Sequence, residues 1–151
     1  MQLTKFTDYA LRTLMHLAVA DEHMLTTRQI AGIHDAKYNH LAKVTQWLVR
    51  EGYVASVRGR TGGLRLAKNT GDVNIGSIVR GLESQTELVE CLRPDGGNCL
   101  LSPNCGLTSA LRNAQDAFYA SLDKITLADL TKNDAPMARL LAQLNVEETQ
   151  I

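Results

Sequence analysis

Three cysteines, Cys91, Cys99 and Cys105, sit in one short stretch of a 151-residue chain that has no others. Their spacing is Cys-x7-Cys-x5-Cys. Thiolates are soft ligands, suited to zinc or to iron–sulfur clusters. Structural zinc sites usually contain a tight cysteine pair, two to four residues apart, and none is present. No histidine follows His40, so this stretch supplies only three protein ligands. A fourth must come from elsewhere in the chain, from another subunit or from a small molecule. Three thiolates with an unusual fourth ligand suit a cluster that reacts. An odd cysteine count also argues against a disulfide framework and for a metal or redox site.

A second set of residues has the chemistry of nucleic-acid recognition. Asn39, His40, Lys43 and Gln46 offer the donors and acceptors that base edges need, since amides suit adenine and cations suit guanine. Lys37 and Tyr38 precede them at the start of the same helix, placed for phosphates, and Arg28 lies one helix upstream. Further on, Arg58-Gly59-Arg60-Thr61-Gly62-Gly63 reads as a glycine-rich basic hairpin. An arginine on such a narrow wing can enter the minor groove, where negative potential is focused.

The elements that must position these groups follow from periodicity. Leu3, Phe6, Ala10, Leu14 and Leu17 recur at helical spacing over 3–20, with Lys5, Asp8, Arg12 and His16 on another face and Thr4 as cap. Thr26-x-x-Gln29 is a capping-box pattern that opens a short helix ending near Gly32. A third helix spans Lys37 to Glu51, with Leu41, Val44 and Leu48 inward, Asn39, Lys43, Gln46 and Arg50 outward, and Gly52 as its stop. Tyr53–Val57 and Leu64-Arg65-Leu66 are β segments on either side of the basic hairpin. Ile75, Ile78, Val79 and Leu82 mark another short helix. The cysteine stretch 91–105 is loop-like, with Pro94, Gly96, Gly97 and Pro103. A long helix covers about 106–123, and a last short one starts at Thr126. Three helices followed by a two-stranded hairpin is the order of a winged helix-turn-helix, whose third helix enters the major groove. The expected fold class is mainly α, with a small β wing and a long C-terminal dimerisation helix.

Net charge is zero, but its distribution is uneven: residues 1–80 carry +5 and residues 81–151 carry −5. A basic half can face phosphate. No run of ~18 apolar residues predicts a membrane span, and the N-terminus lacks a signal-peptide layout, so a cytoplasmic location is the default expectation. With no Cys-x-x-Cys, no histidine near the cysteines and no nucleotide motif, an enzyme is not expected.

Four stretches carry a resemblance. The chain resembles the winged-helix regulators of the IscR, RirA and NsrR family through Leu3-Thr4-Lys5-Phe6-Thr7-Asp8-Tyr9-Ala10-Leu11-Arg12, Val57-Arg58-Gly59-Arg60-Thr61-Gly62-Gly63-Leu64-Arg65-Leu66, the three cysteines, and Thr126-Leu127-Ala128-Asp129-Leu130. Phe6-Thr7-Asp8-Tyr9, Val89-Glu90-Cys91 leading to Asn98-Cys99, and the lack of a histidine just after Cys105 resemble the nitric-oxide-sensing members. The resemblance implies a [4Fe–4S] cluster on Cys91, Cys99 and Cys105, with Asp8 of the partner subunit as fourth ligand. A [2Fe–2S] cluster using His34 is the alternative it leaves open.

The implied protein is a homodimeric repressor on a pseudo-palindromic promoter operator, released when nitric oxide nitrosylates the cluster, with no membrane partner. Its expected parts are a DNA-binding domain over 1–82, a cluster-binding loop over 83–105, a dimerisation helix and C-terminal segment over 106–145, and a frayed tail over 146–151. A RirA-like iron or redox regulator is the rival within the family. A zinc-stabilised scaffold without DNA function is the rival outside it.

Overall fold

A computed structural model describes residues 2–20, 23–84, 87–101, 104–133 and 135–140. The expected tail over 146–151, and the end of the dimerisation segment before it, lie outside the described residues.

Helix α1 (Lys5–Ala20) starts where Thr4 caps it, the Thr7 N–H donating to Thr4 Oγ1 at 3.2 Å. That bond satisfies one of the N–H groups a helix start leaves without a partner. Helix α2 (Thr27–Ile33) opens on the capping box its sequence predicts. Gln29 N–H donates to Thr26 Oγ1 at 3.2 Å, and Thr26 N–H donates to Gln29 Oε1 at 2.7 Å. Helix α3 (Tyr38–Arg50) buries Leu41, Val44 and Leu48 completely and leaves Asn39, Lys43, Gln46 and Arg50 exposed. Gly52, at φ 72°, turns the chain out of it.

Strands β1 (Val54–Val57) and β2 (Gly63–Leu66) pair antiparallel, from Val54 opposite Leu66 to Val57 opposite Gly63. Leu25 adds a bridge on the other edge of β2, its carbonyl accepting the Leu64 N–H at 2.8 Å. The wing is thereby tied to the start of α2. The turn itself requires glycine. A Cβ on Gly62 would lie 2.2 Å from the Val57 carbonyl oxygen, and Gly59 holds φ 120°.

Helix α4 (Ile75–Leu82) is capped by Asn74, whose Oδ1 accepts the Ser77 N–H at 2.9 Å. Helix α5 (Gly106–Leu122) follows the cysteine stretch, and α6 (Leu127–Leu130) closes a turn capped by Thr126 and Asp129. One core joins most of these elements through Ala10, Leu14, Leu17, Ile30, Leu41, Val44, Leu48, Ile78 and Val79. Each such large aliphatic side chain contributes about 1.5–3 kcal/mol by leaving water. Leu127 is fully buried in the same core. Backbone bonds from Ile75 N–H to Ile125 O (3.0 Å) and from Leu127 N–H to Val73 O (2.9 Å) hold it there. A C-terminal element thus completes the N-terminal fold.

Helix α5 is different. Thr108 is its one buried residue, and Leu107 is 64% exposed. Its root is anchored instead at the far end, where Arg80 grips Asp123 with two bonds of 3.1 and 2.8 Å. The architecture is mainly helical with a two-stranded wing, as the periodicity predicts. One assignment needs correction: His16 does not share the exposed side of α1 with Lys5 and Arg12 but is buried, 1% exposed, because the α2–α3 turn carrying His34 packs over it.

Candidate functional site

The basic face is built by α3 and the wing. Lys37, Tyr38, Asn39, Lys43 and Gln46 are exposed, as are Arg58, Arg60 and Thr61, while Gly62 and Gly63 are half-buried in the turn and strand. Arg28 lies over the Tyr38 ring, 5.3 Å from its centroid, so α2 and the start of α3 present one cationic, aromatic corner. Thr26, Thr27, Arg28, Tyr38, Ser56, Gly62 and Gly63 line one surface cavity between helices and wing. His40 sits apart from its neighbours. It is half-buried, with its ring edge-on to Tyr9 at 5.3 Å and near Phe6 at 6.1 Å. Its position on α3 faces α1.

The cysteine stretch packs against the start of α5. Cys91 lies in a 3₁₀ turn, Glu90–Leu92, and Cys105 is the N-cap residue of α5. All three thiols are free and partly exposed. Thr108 joins two of them. Its hydroxyl donates to Cys91 Sγ at 3.3 Å. The Cys105 thiol is held below the ordinary range, first by the Thr108 N–H, then by the Leu107 N–H, with the Thr108 hydroxyl adding to both. These are the N–H groups that a helix start leaves for an anion. Among the described residues of this single chain, no three His, Cys, Asp or Glu side chains stand together as a metal site. The donor set nevertheless fits a thiolate-bound group: three free soft ligands, none in a disulfide, one stabilised as thiolate.

Asp8 stands on α1, partly exposed, with Oδ1 accepting from Arg12 Nε at 2.8 Å. The chain of contacts continues inward. Arg12 Nη1 lies 3.5 Å from His34 Nδ1, and His34 Nε2 lies 2.9 Å from His16 Nε2. Both histidines are pushed below the usual imidazole range, first by burial. For His16 the neighbouring His34 and then Arg12 add to this, bringing it to about 4; for His34, Arg12 adds and Asp8 opposes. At the head of α1 a buried carboxylate takes over. Glu83 Oε1 accepts from Thr4 N–H at 2.9 Å, from Thr4 Oγ1 at 2.9 Å and from Thr7 Oγ1. The residue that ends α4, just before the cysteine stretch, therefore holds the start of the helix that carries Asp8.

Sequence spacing points to the thiols, to α3 and to the wing, and the resemblance adds Asp8, but neither marks Thr108, Glu83 or His16. Thr108, three residues after Cys105, was findable as the third position of a helix. Glu83 and His16 act through partners 76–79 and 18 residues away, and no local pattern marks such contacts.

Residues 3–133 match the family profile described as Rrf2, iron-dependent transcriptional regulator. The chain belongs to the Rrf2 family. Among Rrf2 relatives it is 40% identical over 149 residues to the HTH-type transcriptional regulator NsrR of Shouchella clausii (strain KSM-K16), covering 98% of this chain and all of that one. It is 44% identical over 142 residues to NsrR of Bacillus subtilis (strain 168), covering 93% and 97%. The fold is shared with IscR of T. potens, at 24% identity and TM-score 0.71, with 90% of each chain covered. CymR of B. subtilis, described as its global cysteine regulator, matches at 25% identity and TM-score 0.68, with 86% of this chain and 95% of that one covered. This Rrf2 chain is a transcriptional regulator and not an enzyme, and no described helix is long and apolar enough to cross a membrane.

Proposed function

We propose that this regulator is a homodimeric repressor that senses nitric oxide through a [4Fe–4S] cluster and derepresses nitrosative-stress genes. The observation that carries the reading is the trio of free, partly exposed thiols in the stretch that leads into α5, in a chain similar to NsrR over nearly its whole length. Cys91, Cys99 and Cys105 would hold the cluster, with Asp8 of the partner subunit as fourth ligand. Such a cluster would supply iron that reacts with nitric oxide, and a carboxylate, being a harder and weaker ligand for iron than thiolate, would leave its iron the more reactive.

The chain's own residues account for coupling. Asp8 is held by Arg12 when it binds no metal, and α1 lies directly on α3. A change in the partner of Asp8 therefore acts on the helix beneath the recognition surface. Glu83 clamps Thr4 and Thr7 to the end of α4, so the start of α1 is joined to the element that precedes the cysteine stretch. Such a two-state element biased by ligation is enough to switch affinity. The exposed length of α5, with Leu107, Ala110 and Ala114 uncovered, would pair with its symmetry mate. Leu100 and Leu101, both exposed at the tip of the cysteine loop, would be covered with it.

On DNA, the α3 face of Asn39, His40, Lys43 and Gln46 would read base edges. Lys37, Tyr38 and Arg28 would bind phosphate, and Arg58, Arg60, Thr61, Gly62 and Gly63 would form the wing contact. His40 contributes least to this face, since its ring packs on Phe6 and Tyr9. The proposed functional parts are 1–82 for DNA, 83–105 for the cluster and 106–145 for dimerisation, with Leu127 of the last part packed into the core of the first.

The alternative ligand His34 is disfavoured by its engagement with His16 and Arg12. The test is anaerobic purification with iron and sulfide analysis. About four of each per chain is expected for a [4Fe–4S] site. About two of each would favour the [2Fe–2S] alternative, and zinc without sulfide would overturn the cluster altogether.

A further inference from the structure

Thr108 is the one buried residue of α5, in the first turn, and α5 packs on the 3₁₀ turn that carries Cys91. Its hydroxyl departs from the habit of helical threonines. Such a hydroxyl ordinarily bonds back to a carbonyl three or four residues earlier in its own helix. Thr45 in α3 does so on Ala42, and Thr131 at the end of α6 does so on Leu127, each at 3.0 Å. At Thr108 the carbonyl three residues back, that of Cys105, takes the Thr108 N–H at 3.2 Å. The hydroxyl reaches out of the helix instead, to Cys91 Sγ at 3.3 Å, 17 residues away in sequence.

Two thiols from different elements therefore meet at one side chain. Cys91 comes from the 3₁₀ turn and Cys105 from the N-cap of α5, and the Thr108 N–H and hydroxyl also bond to the Cys105 thiol. A sulfur that ligates a metal has lost its hydrogen, so the hydroxyl can only be the donor of an O–H···S bond to it. That bond has two effects. It fixes the direction of the sulfur before a metal arrives, as outer partners fix the side chains that bind metals. It also draws electron density from the sulfur and weakens its bond to iron, one of the levers by which a protein tunes a cluster.

We propose that Thr108 is a positioning residue for the metal group on Cys91, Cys99 and Cys105: its hydroxyl aims the Cys91 sulfur and stays bonded to it as ligand. The inference rests on the reading of the three cysteines as a cluster site. It adds that two of the three ligands are gathered by the first turn of α5 before loading, and that Cys91 is a weaker donor to iron than a thiolate without this bond.

The experiment compares the wild type with Thr108→Val, which keeps the branched shape and removes the hydroxyl, and Thr108→Ser, which keeps the hydroxyl. All three should give the same helical signal in circular dichroism. The reduced, metal-free chains are titrated anaerobically with Co(II), whose thiolate charge-transfer absorbance reports ligation by sulfur. Affinity should fall about tenfold or more in Thr108→Val and stay within about threefold of wild type in Thr108→Ser. In the cluster-loaded proteins, resonance Raman bands of the iron–cysteine bonds should move to higher frequency in Thr108→Val and not in Thr108→Ser. Wild-type Co(II) affinity in Thr108→Val, or equal loss in Thr108→Ser, would overturn the positioning role. Unmoved bands in Thr108→Val would overturn the bond to the ligated sulfur. Failure of the cluster reading is seen separately, as a wild type that takes Co(II) on its thiolates but carries no iron and sulfide; the Co(II) comparison then still decides whether Thr108 aims Cys91.

Discussion

Arg12 holds Asp8 on the exposed side of α1, Nε to Oδ1 at 2.8 Å, one helical turn apart. An aspartate that serves as a metal ligand in the partner subunit's site must exchange this guanidinium for iron. Asp8→Ala should still assemble a cluster on the three thiols, with water or a buffer thiol as fourth ligand. Its hold on DNA and its nitric-oxide response should differ from wild type, and Asp8→Cys should give a more inert site. Anaerobic titration of the three proteins measures this. Identical behaviour would reduce Asp8 to a helix-end acid favoured by the macrodipole.

Each of Cys91→Ala, Cys99→Ala and Cys105→Ala should abolish stable cluster binding while the helical signal in circular dichroism persists. The three side chains lie outside the buried core, so the loss should be of metal and not of fold. Full cluster absorbance in any one of them would remove that residue from the ligand set.

Lys43→Ala and Arg60→Ala probe the two elements proposed to face DNA. A lost base contact on α3 should cost ~1–3 kcal/mol and relax specificity at that position. A lost phosphate contact in the wing should lower the salt slope by about 1. Binding isotherms at several salt concentrations separate the two, and wild-type affinity in both would contradict the docking.

Glu83 is 5% exposed and accepts bonds from both Thr4 and Thr7. Glu83→Ala should destabilise the apo-protein by about 1.5–3 kcal/mol, the range for hydrogen bonds to a charged group. Urea unfolding measures it. A change within ~0.5 kcal/mol would mean that the clamp at the head of α1 carries little of the fold.

His16 has a folded-state pKa of about 4 against an ordinary 6.5. The folded state therefore resists protonation. The stability it gains by keeping His16 neutral is fully present above pH 6.5 and is lost as pH falls from there toward 4. By pH 5 the loss from this group should be about 2 kcal/mol. His16→Phe should flatten that part of the stability–pH curve. An unchanged slope would show that His16 is not what acid titrates.

The parts legible in sequence are those whose cause is local. Thr26 and Gln29 form a capping box three residues apart, Leu41, Val44 and Leu48 repeat with the helix, and Gly59 and Gly62 are required by the turn they make. The cysteines are legible because thiolates have few other uses at that spacing. His16 was misplaced because its position on the Asp8–Arg12 stripe reads as solvent, and only the turn that carries His34 covers it. Leu127 and Glu83 complete surfaces made far earlier in the chain. Periodicity holds no record of such pairings.

The most direct test follows DNA and cluster in one sample. Nitric oxide is added stepwise to the anaerobic protein bound to promoter DNA, with visible absorbance and gel mobility read at each addition. DNA is expected to be released as cluster absorbance is lost. DNA retention that stays unchanged after the absorbance has gone would contradict it.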